Sequence, residues 1–211
     1  FEPCRVGLFE MLFKNLNLVP EDVLKVIAAD LATALTNIHG YNVIHRELNL
    51  NNMVVDSKGR VKVRMGEGVF AGPPGVGIVE DCRVKSNGDI HEFTAPEELT
   101  NDSVITRKAD MWSLGVVLYA LALSRFPYKT GNWEKEPNWK FLRQCYSPMF
   151  VSLLEGLLSM DPEGRPEAYE LRSHPWILSV ESEVKSRDWI LWKAKSIPPV
   201  QADTMQAALQ E

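Results

Sequence analysis

The sequence predicts a mainly α domain, with helices gathered around one buried central helix and a small β-hairpin beside them. Three stretches carry that prediction. Residues 108–123 are apolar on nearly every side from Met111 onward, and a helix without a polar face must be surrounded by other elements. The run is also shorter than the roughly 20 apolar residues that a bilayer crossing takes. Val23, Ile27, Leu31, Ala34, Leu35 and Ile38 recur at helical spacing and give a second helix a buried stripe. Finally, Met53-Val54-Val55 and the alternating Arg60-Val61-Lys62-Val63-Arg64 flank the turn residues Asp56-Ser57-Lys58-Gly59, the pattern of a hairpin.

A chain of 211 residues forms one compact core by default. With 45% hydrophobic and 24% charged residues it has the composition of an ordinary soluble globular protein. A net charge of -5 gives no reason to expect nucleic acid or an anionic membrane as partner, and it disfavours acidic substrates. Cys4, Cys82 and Cys145 share no metal-ligand spacing and read as free thiols. Asn101-Asp102-Ser103 fits a glycosylation sequon, which matters if the protein is secreted. No signal peptide is visible, and the first residue is Phe rather than Met, so the compartment is not readable.

In chain order, residues 7–15 carry apolar positions at helical spacing, with a break at Asn15 and Asn17. Pro20-Glu21-Asp22 opens the next helix, since Pro suits a first turn and acids suit the positive end of the macrodipole. Gly40 stands where a C-terminal cap belongs. The polar loop His45-Arg46-Glu47-Leu48-Asn49-Leu50-Asn51-Asn52 leads into the hairpin. After the hairpin, Gly66-Glu67-Gly68-Val69-Phe70-Ala71 loosely fits a dinucleotide fingerprint. That motif requires a helix next, and Gly72-Pro73-Pro74-Gly75 follows instead. Residues 66–94 have no periodicity, and long structureless loops are usually functional. Asp110, at the start of the central helix, must be hydrogen-bonded or wet. Beyond it come a turn at 124–128, a polar loop at 129–138, and helices over 139–145 and 148–160. Asp161-Pro162-Glu163-Gly164 breaks the last of these, and Arg165-Pro166-Glu167 opens another that ends at His174-Pro175-Trp176. Residues 188–195 have helical capacity before Pro198-Pro199, and there are no internal repeats.

Four landmarks stand in a familiar order: His45-Arg46-Glu47 with Asn52, Thr94-Ala95-Pro96-Glu97, Asp110-Met111-Trp112-Ser113-Leu114-Gly115, and Arg165-Pro166. On these the chain resembles the C-terminal lobe of the protein kinases from about Gly7 to Ile177. The resemblance implies a kinase-like C-terminal lobe over 1–177, a partly helical C-terminal tail over 178–211, and an N-terminal kinase lobe preceding this chain. It makes 45–52 the catalytic loop and 66–94 the activation segment.

The family uses a carboxylate to accept the substrate proton, a Lys near the transferred phosphate, an Asn on one magnesium ion and an Asp on the metals. Position by position, this chain has Glu47, Asn49, Asn52 and Met65 there. Glu47 keeps the charge but adds a methylene, and a misplacement of about 1 Å can cost on the order of 100-fold. Asn49 lacks the cation. Met65 offers a thioether where magnesium demands oxygen, and the nearest carboxylate, Glu67, comes two positions later. Asn52 is then the only metal ligand left, and Val54 is the residue that would touch a bound adenine. Met53, Val117 and Leu121 fall beneath that position and read equally as core. The structural positions are kept: Glu97 and Arg165 match a buried ion pair, and Asp110 matches the carboxylate that holds the turn of His45 and Arg46. Arg46 matches a phosphate-receiving Arg, with Ser86 and Thr94 available, and reads otherwise as locally hydrogen-bonded.

Scaffold residues kept and reaction residues altered describe a pseudokinase that acts by binding another protein as scaffold or allosteric regulator, with no cofactor expected. The alternative is an active, unconventional Ser/Thr protein kinase that transfers phosphate from ATP with magnesium, using Glu47 and a rearranged metal site. A purely structural role is a third reading. Trp133, Trp139, Trp189 and Trp192 form a partner surface or pack locally. Residues 139–148, Trp-Lys-Phe-Leu-Arg-Gln-Cys-Tyr-Ser-Pro, are similar to a stretch of the rhoptry kinase family of apicomplexan parasites. That likeness implies a secreted protein, with the sequon at Asn101 and a disulfide in play; otherwise the protein is expected in the cytoplasm.

Overall fold

A computed structural model describes residues 6–7, 18–71, 91–99, 105–133 and 135–195. Two helices make the centre. The first, α1 (Glu21–Gly40), buries Val23, Leu24, Ile27, Leu31 and Leu35, and also Val26 and Ala28 on a second side. The second face is buried because α1 is wrapped: it touches the central helix α2 (Arg107–Leu123), the hairpin and the C-terminal helices. In α2 every residue from Ala109 to Leu123 is buried. The Thr106 hydroxyl accepts from the Lys108 N–H to cap its start, and Ser124 in the left-handed region, at φ 51°, closes its end.

Three short antiparallel strands, β1 (Val6–Gly7), β3 (Met53–Val55) and β4 (Val61–Val63), form one sheet in the order β1-β3-β4. In the hairpin Met53 pairs with Val63 and Val55 with Val61. Asp56 builds its turn by accepting from the N–H groups of Lys58 and Arg60 and from Arg60 Nε. Gly59, at φ 73°, takes the left-handed position that a Cβ would strain. A second pair joins β2 (Val43–Ile44) to β5 (Phe70–Ala71). A strand thus stands where a dinucleotide fingerprint would need a helix.

The remaining helices are α3 (Trp139–Cys145), α4 (Pro148–Leu157), α5 (Ala168–Arg172), α6 (Pro175–Leu178) and α7 (Glu183–Lys195). The single helix expected after Arg165 is two short ones. His174 ends the first and its Nδ1 caps the second, where Pro175 restarts the turn. Helix α4 ends at Leu157, three residues short of the expected Met160. The left-handed residue after α1 is Asn42, at φ 62°, rather than Gly40. The helix expected over 7–15 falls outside the described residues, except for Gly7, which is strand. Residues 72–90, with Cys82 and Ser86, also lie outside them, as do Cys4 and the Asn101 sequon.

The core is mostly helical and includes fully buried aromatics, with Trp112 stacked on Tyr128 and Phe150 on Trp176. Trp133, Trp139 and Trp189 pack partly buried against it, whereas Trp192 is largely exposed. Glu21 ties three elements: its carboxylate accepts from the Ser147 N–H and hydroxyl at the start of α4 and from Trp176 Nε1 on α6. Tyr146 donates between the carbonyls of Val19 and Ala122. No helix among the described residues is long and apolar enough to cross a membrane.

Candidate functional site

The loop 45–52 is held from below by one carboxylate. Asp110, fully buried on the first turn of α2, accepts from the N–H groups of His45 (2.9 Å) and Arg46 (2.8 Å) and from the His39 ring (2.8 Å). Three donors offset the cost of taking a charge out of water. They also pin Arg46 in the left-handed region, at φ 62°. The buried His45 ring donates from Nε2 to the Arg64 carbonyl at 2.8 Å, joining the loop to the strand that leads to Met65. His39 was not legible as a site residue; its only signal was a basic residue in the last turn of a helix.

Above this base stand the four positions that the sequence singles out for chemistry. Asn49 turns its amide oxygen back on its own backbone, accepting from Asn51 (3.0 Å) and Asn52 (3.1 Å) and so capping the 3-10 turn Leu50–Asn52. Asn52 donates from Nδ2 to the Glu47 carbonyl at 2.9 Å, so its amide oxygen is the atom that can accept from a ligand. The Glu47 carboxylate lies against the backbone of Gly66 and Gly68. A Cβ on Gly66 would overlap Oε2 and stand 3.6 Å from Asn52 Nδ2, and one on Gly68 would meet Glu47 Oε1 at 2.7 Å. The two glycines are therefore the room that the longer acid needs. Met65 is 54% exposed. Glu67 is exposed, and Val54 is buried within β3 opposite Gly7 and Lys62.

Where the family holds its metals, this chain brings together the Asn52 amide and the Glu47 carboxylate, and Met65 supplies a thioether, which magnesium takes up poorly, in place of an oxygen donor.

Glu97 and Arg165 lie behind the loop. The guanidinium, 1% exposed, bonds Glu97 through Nη1 (2.6 Å) and Nη2 (2.8 Å), and also reaches the carbonyls of Ser159 and Lys108. It lies over the Trp112 ring, 5.0 Å from the centroid. A cleft of about 310 Å³ opens beside the loop, lined by Arg46, Glu47, Asn49, Phe93, Thr94 and Phe126. Glu98, on the turn that follows Thr94 and missed by sequence reasoning, is buried and accepts from the Ala95 N–H at 2.9 Å. An acid three residues after the start of a turn was the available signal.

Residues 1–177 match the Protein kinase domain family. Among relatives, a sperm motility kinase, Tcr mutant form, of Mus musculus is 30% identical over 83% of this chain and 36% of its own length. Mitogen-activated protein kinase kinase 3 of Arabidopsis thaliana is 30% identical over 84% of this chain and 35% of its own. RAC-beta serine/threonine-protein kinase B of Xenopus laevis is 31% identical over 76% and 34%. The chain thus spans about a third of the length of these relatives. A family match that runs from the first residue through the Glu97–Arg165 pair to Ile177 leaves one conclusion: the chain belongs to the protein kinase domain family.

Proposed function

We propose that this chain is the C-terminal lobe of a pseudokinase, a catalytically impaired protein kinase homologue that works by binding another protein as scaffold or allosteric regulator. One observation carries the reading: an exposed Met65 stands where the family places the Asp that holds the metals. Asn49 agrees with it, since its amide is spent on capping a turn rather than facing a phosphate. Neither nucleotide nor magnesium is required by this role, and no transfer step is assigned to the residues present. The cleft of about 310 Å³ beside Glu47 is the surface we assign to the partner. The run 139–148 favours the rhoptry kinase family as the finer assignment, and with it a secreted protein.

The active alternative also has a supporting observation, because the Glu47 carboxylate lies beside the Asn52 amide. The two readings separate in one measurement. Thermal unfolding of the full-length protein with ATP, with and without magnesium, is expected to show no magnesium-dependent rise in midpoint. Ligand at about 100 times its Kd adds on the order of 2.7 kcal/mol to the folded state, so a magnesium-dependent rise of that size would overturn the pseudokinase reading.

A further inference from the structure

The family match ends at residue 177, but the bonds that order the loop 45–52 run past it. Helix α7 is seated on α1 and buries Ser186, Ile190 and Ala194. One of its residues reaches the hairpin as well. Arg187, its side chain 14% exposed, holds both carboxylate oxygens of Asp30 on α1 and donates from Nη1 to the Gly59 carbonyl at 3.1 Å. Asp30 accepts in turn from the N–H of Val61, the first residue of β4, at 2.8 Å. The hairpin turn also lies hard against the helix: a Cβ on Gly59 would meet the Arg187 carbonyl oxygen at 2.9 Å and Leu191 Cγ at 3.2 Å.

The other end of β4 grips the loop. Just past the strand, the Arg64 N–H donates to the Asn52 carbonyl at 2.7 Å, and the Arg64 carbonyl accepts from His45 Nε2 at 2.8 Å. Between these two ends every residue of β4 is paired with β3: Val61 with Val55, Lys62 with Val54 and Val63 with Met53. An unbroken series of hydrogen bonds and a rigid paired element is what carries coupling from one place to another. The loop thus has two supports. Asp110 on α2 holds its first residues through the N–H groups of His45 and Arg46. Arg64 holds its last residue, Asn52, whose side chain reaches back to the Glu47 carbonyl. Of the two, the Arg64 support is the one that leads back to α7.

We infer that α7 is a brace for the site, with Arg187 as its positioning residue: by clamping the hairpin turn it fixes, through β4 and Arg64, the Asn52 end of the loop 45–52. The unit that carries the site then extends to Lys195 rather than stopping at Ile177. The brace acts in the same way whether the loop takes part in phosphate transfer or only in binding a partner.

Amide hydrogen exchange of the full-length protein, resolved residue by residue by NMR, tests this. Rates at Asn52 and Arg64 are read relative to those at His45 and Arg46 in the same sample, because a loss of stability in the molecule as a whole moves all four together. In Arg187→Met the ratio is expected to rise about fivefold or more, since the cut tie frees one support and leaves the other. In Arg187→Lys, which keeps the charge toward Asp30 but loses the fork, it is expected to rise roughly twofold. An unchanged ratio in Arg187→Met, even with faster exchange at Val61, would show that the clamp ends at the hairpin turn and would overturn the brace. Should Arg187→Met fail to fold, an unchanged ratio in Arg187→Lys overturns it equally. No partner or nucleotide enters the measurement, so a failure of the pseudokinase reading leaves this test intact.

Discussion

Glu47 shows how one methylene is absorbed locally. Its carboxylate takes the space in which a Cβ on Gly66 or Gly68 would sit, so the loop after β4 is written around that side chain. Neither glycine has a positive φ, so alanine is compatible with both backbones, and the cost of introducing it comes from Glu47 alone. At Gly66 the obstacle is the mobile end of the carboxylate. At Gly68 it reaches in to Cγ at 2.8 Å, and the side chain must turn away as a whole. Gly68→Ala is therefore expected to cost about 1 kcal/mol and Gly66→Ala less. In a Glu47→Ala background both should become neutral, or stabilising by about 0.4 to 1 kcal/mol through the unfolded chain. A double-mutant cycle by urea denaturation measures the difference; additive effects would show that Glu47 does not fill that space. The same glycines look from sequence like a weak phosphate-loop motif. Spacing alone does not reveal a side chain folded over them from a loop some twenty residues earlier.

Two helical glycines carry opposite predictions because their neighbours differ. Gly115 lets α2 and α4 approach closely: a Cβ there would lie 2.9 Å from Leu157 Cβ and 3.0 Å from Leu158 Cδ2. Leu157 Cβ is fixed to the α4 backbone and cannot turn aside. Gly115→Ala is expected to destabilise by about 1 to 2 kcal/mol, the overpacking cost less the gain in helix propensity. At Gly156 the nearest atom to an added Cβ is Pro166 Cδ at 4.0 Å, and alanine there should stabilise by about 1 kcal/mol. Thermal melts of both variants check the signs. Elements of this kind were legible where periodicity ran long enough: α1, α2, α3, α4 and the hairpin lie within a few residues of where the pattern puts them. The two-residue strands β1, β2 and β5 were not, because no alternation can be read from two residues. The split between α5 and α6 depended on His174 acting as a cap, which is a matter of conformation rather than composition.

Four sequence landmarks brought the site's scaffold into view, but the long-range ties behind it came from residues whose types are individually unremarkable. Helix α7 is the largest such case. It lies past the 177 residues that match the family, yet it buries Ile190 and Ala194 against the rest of the molecule and docks on α1. Its anchor is Arg187, which holds both oxygens of Asp30 and donates to the Gly59 carbonyl at 3.1 Å. Asp30 in turn accepts from the Val61 N–H at 2.8 Å. One ion pair thus joins α1, the hairpin turn and α7, and the hairpin is the element that follows the loop 45–52. Burial depresses the charge on Arg187, but the Asp30 and Glu183 carboxylates outweigh it and hold the guanidinium firmly protonated. Arg187→Met keeps the apolar stem and removes only these bonds, leaving Asp30 partly buried with a single backbone donor. For a pair this enclosed, with side chains 14% exposed on each partner, removing one member is expected to cost about 3 kcal/mol. Amide exchange should quicken most at Val61 and in α7, and hardly at all in α2, because opening begins where the tie is cut. If the unfolding midpoint of Arg187→Met stays within about 0.5 kcal/mol of the parent, α7 is an appendage rather than part of the fold that carries the site.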